Sequence, residues 1–326
     1  MRAITVTEHG GPEVLTYGEA PDPVPGPGQV LVRTSAIGVN FIDTYFREGM
    51  YPTALPYIPG SEGSGTVVAL GEGVTSRAVG DVVAWCDGPG SYAELVAVPA
   101  DRTVVVPDGV APEVAASVLL QGMTAHYLTH DSHPVQAGDT VLVHAGAGGT
   151  GLLVTQMATA LGARVITTVS TDEKERLSRE AGAWQVLRYD EDVAARVREL
   201  TDGAGVAAVY DGVGKDTFEE SLLATRHKGI VVLFGAASGP VPPFDLQRLN
   251  PLGSLFVQRP TLAHHVATAE DFARRSGAVL DGLRDDALAH LAADEVAGQR
   301  DGAATGGYAA PSSPEFREAQ LKRFRE

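Results

Sequence analysis

Six residues at positions 146–151 form the strongest chemical signal in the sequence. They read GAGGTG and fit the pattern GxGxxG. The loop follows a short β-branched run, TVLVH at 140–144, and precedes apolar residues at helical spacing over 152–161. Glycines between a strand and a helix let the backbone approach a pyrophosphate, whose charge then faces the free amides of the helix N-terminus. The loop therefore predicts a dinucleotide site, and the alternative is a tight turn that binds no ligand.

The end of the next predicted strand indicates which dinucleotide binds. A site for NAD usually has an acid there, about 20 residues after the glycines. This strand ends in TTVS at 167–170 without an acid, and Asp172 and Glu173 follow where they also suit a helix N-terminus. Ser170 offers a hydroxyl and Lys174 a cation, which together suit a 2′-phosphate. We therefore expect NADPH rather than NADH, with a solvent-exposed cation as the alternative for Lys174.

The sequence offers few ligands for a metal. Its one cysteine, Cys86, excludes an intrachain disulfide and a four-thiolate site. A catalytic zinc needs three or more converging Cys, His or carboxylate ligands, and the pair His264-His265 lacks ligand spacing. Cys86 is expected to be a small buried apolar residue. We therefore expect chemistry that proceeds without a metal.

The elements that position these residues fall into two predicted domains. Residues 1–118 contain short apolar runs between Pro- and Gly-rich turns, which suit the strands of a barrel or sandwich. Residues 119–259 alternate apolar strands with helices, which predicts a doubly wound α/β domain with a parallel sheet covered on both faces. Predicted strands lie at 30–33, 65–70, 81–84, 91–98, 140–144, 164–169, 185–188, 206–210, 230–234 and 254–257, and predicted helices at 152–161, 172–181, 191–200 and within 271–293.

Composition narrows the class of protein. The chain has 326 residues, 44% of them apolar, and a formal net charge of −16. Such a charge repels phosphate backbones and anionic lipid head groups, so we expect neither nucleic acid nor a membrane as a partner. The most apolar region, residues 141–170, contains His144, Gln156 and Arg164, which argues against a membrane span. We expect a soluble cytoplasmic protein.

Several further segments carry a resemblance to one family. They read AIGVNFIDTY at 36–45, REGMYP at 47–52, IPGSEG at 58–63, QGMTA at 121–125, HAGAGGTG at 144–151, YDGVG at 210–214 and SLFVQRP at 254–260. Over about residues 1–285 the chain resembles the zinc-free medium-chain dehydrogenases/reductases of the quinone oxidoreductase (zeta-crystallin-like) family. In zinc-dependent relatives the position of Asn40 holds Cys and that of Ser61 holds His.

The resemblance implies a fold and a set of site residues. It implies an N-terminal GroES-like β-barrel, a Rossmann domain, a cofactor cleft between them, and a homodimer formed through Rossmann edge strands. It places Asn40, Tyr45 and Tyr51 at the nicotinamide and the substrate, where ordinary packing is the alternative for the aromatic residues. The remaining cofactor contacts that it implies are Thr124 near the nicotinamide, Gly148, Gly149 and Thr150 at the pyrophosphate, Ser170, Lys174 and Tyr189 around the adenosine phosphate, and Phe234, Gly235, Ala236, Phe256, Val257 and Gln258 on the nicotinamide side.

The activity that the resemblance implies is the NADPH-dependent reduction of a quinone. Hydrogen bonds from Asn40 and Tyr51 would polarise the acceptor oxygen, and we assign no dedicated general acid. Three alternatives stay open: an enone or enoyl reductase, a non-enzymatic NADPH-binding protein, and an inactive product of gene decay.

The end of the sequence departs from the family pattern. Residues 260–326 are predicted to return to the first domain, yet no Val/Ile-rich strand lies near residues 292–307. Residues 298–313 are small and polar, with too little apolar surface to offset the entropy of ordering. We therefore predict an atypical, disordered tail from about residue 298.

Overall fold

The computed structural model describes residues 1–284 and residue 288. The chain divides into two compact units. The first unit comprises Met1–Gly122 and the described residues from Val266 onward, and the second unit is Met123–His265. The tail predicted to be disordered from about residue 298 lies outside the described residues, and so does the end of the helical prediction at 271–293.

Within residues 1–284, seven strands of the first unit form two sheets. They are β1 (Arg2–Thr5), β2 (Thr16–Glu19), β3 (Gln29–Gly38), β4 (Glu62–Leu70), β5 (Val82–Cys86), β6 (Leu95–Pro99) and β7 (Thr103–Val105). β1 pairs with β2, and the other five pair antiparallel in the order β6-β3-β4-β5-β7. Alternate residues of β3, such as Val30 and Val32, point into a core that includes Trp85 and Val98. The strands predicted at 30–33, 65–70 and 81–84 are confirmed.

The strand predicted at 91–98 was wrong in its first half. Residues 91–94 make backbone bonds to three different segments: Ile4 N–H donates to Tyr92 O, Tyr92 N–H donates to Pro59 O, and Thr34 N–H donates to Glu94 O. Ser91, Tyr92 and Ala93 are all buried and only Glu94 is half-buried, so burial does not alternate here as it would along a half-buried strand, and the bonding partners do not form one continuous ladder. β6 therefore begins at Leu95.

Six parallel strands form the single sheet described in the second unit. They are β8 (Thr140–Val143), β9 (Arg164–Val169), β10 (Gln185–Arg188), β11 (Val206–Asp211), β12 (Thr225–Leu233) and β13 (Phe256–Gln258), in the order β10-β9-β8-β11-β12-β13. The predicted doubly wound parallel sheet is confirmed. The strand order reverses between β8 and β11, and ligands of such sheets bind outside the carboxyl ends of the strands at this point. The last strand begins two residues later than predicted because Ser254 has a φ of +57°.

The helices follow the predicted alternation in the second unit. The described helices are α1 (Phe41–Arg47), α2 (Pro112–Tyr127), α3 (Gly149–Ala160), α4 (Asp172–Glu180), α5 (Val193–Leu200), α6 (Phe218–Ala224), α7 (Leu262–His265) and α8 (Ala269–Arg284). α8 belongs to the first unit, where Val279 packs against Gly122. Within residues 1–284, none of these helices combines the length and apolarity that crossing a membrane requires.

Candidate functional site

A buried polar network surrounds Asn40 at the start of α1. Its side-chain Nδ2 donates to Glu62 Oε2 over 2.7 Å, and Gln121 Nε2 donates to Asn40 Oδ1 over 3.2 Å. The N–H of Leu120 donates to the other carboxyl oxygen of Glu62 over 2.8 Å. Asn40, Glu62 and Gln121 are all buried. The two ends of the Asn40 amide therefore have different partners, which fixes its orientation.

Asp43 connects helix α1 to this network. Its Oδ2 accepts the Asn40 backbone N–H over 2.9 Å and the Tyr92 hydroxyl over 2.8 Å. Asn40 is extended, with φ −119° and ψ 149°, and Asp43 is the third residue of the helix that follows. This reach of an N3 carboxylate back to the N-cap N–H is one half of a capping box. The same interaction that begins α1 therefore places the Asn40 side chain beside Glu62.

Burial raises the pKa of both carboxyl groups in the network. The pKa of Glu62 rises to about 8, because desolvation exceeds the opposing hydrogen bonds from Asn40 and Leu120. The pKa of Asp43 rises to about 6 for the same reason, against the hydrogen bonds from Asn40 and Tyr92. Near neutral pH Glu62 therefore carries a proton for much of the time, whereas Asp43 is mostly ionised.

Tyr45 and Tyr51 lie together at the end of α1. Their rings meet edge to face with centroids 5.3 Å apart, and the Tyr51 N–H donates to Tyr45 O over 3.0 Å. Phe46 packs against Tyr51 in the same manner, with centroids 5.6 Å apart. Tyr45 is buried and Tyr51 is half-buried. The structure thus groups the predicted residues Asn40, Tyr45 and Tyr51 on and beside one short helix.

The glycine loop of the second unit is shaped by close backbone packing. A Cβ on Gly146 would lie 2.4 Å from Thr167 Cβ, and one on Gly151 would lie 2.2 Å from Ala145 O. Ala145 itself has a φ of +53°. Gly148 is the extended N-cap of α3 and accepts the Leu152 N–H, so the helix begins at Gly149. Larger residues would therefore force the loop away from β9 and away from the first turn of α3, whose N–H groups lack helical acceptors.

Ser170 and Lys174 lie together where β9 leads into α4. Lys174 Nζ donates to Ser170 Oγ over 3.3 Å. The Lys174 backbone N–H donates to Thr171 Oγ1, so Thr171 is the N-cap of α4. Tyr189 follows the neighbouring strand β10, and its hydroxyl accepts the Ala145 N–H over 2.9 Å. Three residues predicted near an adenosine phosphate therefore lie at the carboxyl edge of the sheet, and one of them contacts the glycine loop.

A buried carboxylate organises the loops after β11 and β12. Asp211 accepts hydrogen bonds from the Val213 and Gly214 N–H groups and from the hydroxyls of Thr217 and Ser221, over distances of 2.7–2.9 Å. The backbone oxygen of Asp211 accepts the N–H of Phe234 over 2.9 Å. The predicted residues Phe234, Gly235 and Ala236 are thereby held against the turn at 212–214.

The other predicted residues have separate positions. Thr124 is buried in α2. Gln258 is half-buried, and Phe256 and Val257 are 61% and 37% exposed on β13, an edge strand of the sheet. Their roles at the nicotinamide stay predictions.

The side chains described in residues 1–284 provide no cluster of three or more His, Cys, Asp or Glu that could hold a metal ion. Cys86 is fully buried in β5, and burial raises the pKa of its thiol. The amide of Asn40 is already hydrogen-bonded to Glu62 and Gln121. Neither Asn40 nor Cys86 therefore belongs to a group of metal ligands within the described residues.

Four further residues of these sites were not predicted from the sequence, although they lie inside the family-like motifs: Asp43, Glu62, Gln121 and Asp211. Asp211 directly follows the apolar run at 206–210, where an acid needs buried partners, whereas Glu62 lies among Gly and Ser at 60–65 and has no such local signal. The partners themselves are remote: Asn40 and Glu62 are 22 residues apart, and Asp43 and Tyr92 are 49 apart.

Comparisons with known proteins agree with this architecture. Residues 26–108 match the family model of the alcohol dehydrogenase GroES-like domain, and residues 149–274 match that of the zinc-binding dehydrogenases. A quinone oxidoreductase of Pseudomonas aeruginosa is 49% identical over 82% of this chain and 84% of its own length. A 2-haloacrylate reductase of Burkholderia is 39% identical over 88% of this chain and 89% of its own. The crystal structure of Escherichia coli quinone oxidoreductase complexed with NADPH is 36% identical, with a TM-score of 0.88 over 95% of this chain and 99% of the other.

A GroES-like domain joined to a doubly wound parallel sheet defines a medium-chain dehydrogenase/reductase. Within that class, the chain belongs to the quinone oxidoreductase family. The family predicted from the sequence motifs is confirmed.

Proposed function

We propose that this protein is an NADPH-dependent quinone oxidoreductase that works without a metal. The observation that carries the proposal is the glycine loop after β8, which adjoins Tyr189 and lies beside β9, the strand that leads to Ser170 and Lys174. Amides at a helix N-terminus suit a pyrophosphate, and a lysine beside a hydroxyl suits a 2′-phosphate. Membership of the quinone oxidoreductase family supports the choice of acceptor.

The domain predicted at residues 119–259 would bind the cofactor. Gly148, Gly149 and Thr150 would hold the pyrophosphate at the start of α3. Ser170, Lys174 and Tyr189 would surround the adenosine phosphate. The nicotinamide side would be lined by Thr124, Phe234, Gly235, Ala236, Phe256, Val257 and Gln258.

Asn40, Tyr45 and Tyr51 would orient the acceptor. The bound cofactor supplies the hydride. The Asn40 amide has two N–H groups, of which one is directed to Glu62, so the second can donate to the acceptor oxygen. The Tyr51 hydroxyl would donate to the same oxygen, and Tyr45 would hold the Tyr51 ring. Charge that develops on the oxygen is thereby stabilised by groups whose positions are fixed before the acceptor binds.

Steady-state oxidation of NADPH with a panel of quinones and enones tests the proposal. We expect turnover with quinones, a preference for NADPH over NADH, and no zinc by elemental analysis of the active protein. Binding of NADPH without turnover of any acceptor would identify a non-enzymatic NADPH-binding protein instead. Absence of both would favour an inactive product, and stoichiometric zinc would contradict the metal-free mechanism.

A second candidate function is the reduction of an activated alkene. The relative of this chain from Burkholderia is named for 2-haloacrylate, which is such an alkene. The same cofactor and the same polarising groups would serve, because only the acceptor and the final proton transfer differ. A kcat/KM for enones above that for quinones would select this function.

We propose a homodimer located in the cytoplasm. Phe256 and Val257 give β13 an exposed apolar edge, and unpaired strand edges are ready to pair with another chain. A reduced, buried Cys86 suits a cytoplasmic protein. Light scattering of wild type and Phe256→Asp, together with cell fractionation, tests both statements: the variant should be monomeric and the wild type dimeric.

A further inference from the structure

The first turn of α4 places three carboxylates around one lysine, which is unfavourable for binding a phosphate. Asp172, Glu173 and Glu175 all lie in this turn, on either side of Lys174. Acids at a helix N-terminus favour the helix, but they repel a 2′-phosphate dianion. One lysine cannot balance three carboxylates. A neighbouring cation is therefore needed if a phosphate is to bind beside Ser170.

Arg188 supplies such a cation from the neighbouring strand. It is the last residue of β10 and pairs with Val169, the last residue of β9. Its Nη2 lies 2.6 Å from Asp172 Oδ1 and 2.7 Å from Glu175 Oε2. The Arg188 side chain is 24% exposed, so solvent screens these contacts only in part. One guanidinium therefore engages two carboxylates of the turn.

The remaining charges of the turn are nearly balanced by this arrangement. Glu175 also accepts a hydrogen bond from Arg179 Nε over 2.9 Å. The three carboxylates of the turn are therefore matched by three cations, Lys174, Arg179 and Arg188. These ion pairs of Arg188 contribute little to folding, because their carboxylate partners are partly or fully exposed and solvent offsets the attraction. Its effect is electrostatic, on whatever anion lies beside Lys174.

We propose that Arg188 is a specificity-determining residue for the 2′-phosphate of the cofactor. It acts by neutralising Asp172 and Glu175, so that the turn no longer repels a phosphate held by Lys174 and Ser170. It does so through those carboxylates and without contacting the phosphate. This inference rests on the proposed function, since it concerns the NADPH site.

Equilibrium binding of reduced cofactors, followed by their fluorescence, tests the inference. Arg188→Gln should raise the Kd for NADPH about tenfold and leave the Kd for NADH unchanged, because only NADPH carries the additional phosphate charge. Arg176→Gln is the matched control. Arg176 lies on the same helix and pairs with Glu180, outside the first turn, so its loss should change neither Kd.

A triple variant separates the two ways in which Arg188 could act. In Arg188→Gln combined with Asp172→Asn and Glu175→Gln, the carboxylates that need neutralisation are gone. NADPH affinity should return to within about twofold of wild type. A triple variant that binds NADPH as weakly as the single one would show direct contact with the phosphate and overturn the proposal.

Failure of this inference differs from failure of the proposed function. If wild type binds NADPH in preference to NADH but Arg188→Gln leaves the ratio unchanged, only the inference fails. If wild type binds neither cofactor, or prefers NADH, the proposed function fails before the variants are compared. Melting temperatures of all variants should stay within a few degrees of wild type, because the substituted side chains are partly or fully exposed and their ion pairs contribute little to stability.

Discussion

Asn40 reaches across 2.7 Å from the start of α1 to the fully buried carboxyl group of Glu62 in β4. Asn40 is proposed to contact the acceptor, and Glu62 is fully shielded from water. Gln121 holds the other end of the Asn40 amide from α2. Three elements of the first unit therefore set the direction of one N–H group. Glu62 and Gln121 are positioning residues in this arrangement, since they act through Asn40.

Glu62→Gln should lower activity by disturbing the orientation of Asn40. Asn40 Nδ2 and the Leu120 N–H donate to different oxygens of Glu62, and in glutamine one of these two positions is an NH2 group, which cannot accept. We expect kcat/KM for the quinone to fall about tenfold, with kcat falling more than KM changes and with the Kd for NADPH unchanged.

Gln121→Ala is the companion to this variant. It removes the contact at the opposite end of the Asn40 amide and should lower kcat/KM in the same direction. If both variants lower the melting temperature but leave kcat/KM intact, the network is structural only.

The same carboxyl group should make stability depend on pH. The pKa of Glu62 is about 8 in the folded protein against an ordinary value of 4.5. The folded state therefore binds this proton more tightly than the unfolded state. The resulting stability is fully present below the ordinary value and is lost as the pH rises through about 8. The contribution of Asp43 is lost earlier, as the pH rises to about 6.

Urea unfolding at pH 5, 7 and 9 measures this effect. The free energy of unfolding should decrease with pH by up to about 1.4 kcal/mol per pH unit for the single proton of Glu62. Glu62→Gln does not titrate, so its curve should be flatter than that of wild type between pH 6 and pH 8. Parallel curves for the two proteins would show that Glu62 does not titrate in this range.

Tyr51→Phe should impair the reaction while Tyr57→Phe should not. Tyr51 loses the hydroxyl that we propose donates to the acceptor oxygen, and kcat/KM should fall about tenfold. The Tyr57 hydroxyl is buried and has no hydrogen-bond partner within the described part of the chain, so its removal breaks no hydrogen bond there. Steady-state kinetics with one quinone compare the two. Unchanged kcat/KM in both Tyr51→Phe and Asn40→Ala would remove these residues from the mechanism.

The sequence was most informative where structure is local. β9 and β10 have the bounds predicted for them, Arg164–Val169 and Gln185–Arg188, because each is a short apolar run bounded by a turn. The contact between Ser170 and Lys174 could be predicted for the same reason, because residues four positions apart at the start of a helix lie close together.

The rest depends on contacts between remote segments. Local pattern does not show that Glu62 receives Asn40, or that Arg188 crosses from β10 to Asp172 in α4. The first contact needs β3, β4 and α1 in place, and the second needs the parallel register of β9 and β10. The strand prediction for residues 91–94 was wrong for the same reason, because the backbone bonds of these residues go to three remote segments.

Gly151→Ala should distort the glycine loop at 146–151, whereas Gly277→Ala should not. Both glycines lie inside helices, α3 and α8, and in both the substitution adds one methyl group. At Gly151 the new Cβ would lie 2.2 Å from Ala145 O, while no atom lies within 4 Å of the same position at Gly277. We expect Gly151→Ala to lose about 2 kcal/mol or more of unfolding free energy and to raise the Kd for NADPH about tenfold or more.

Gly277→Ala should gain up to about 1 kcal/mol of unfolding free energy, since alanine favours helix, and should bind NADPH as wild type does. Urea unfolding and fluorescence titration measure both quantities. Wild-type affinity for NADPH in Gly151→Ala would show that the close approach of α3 to the loop is not needed to hold the pyrophosphate.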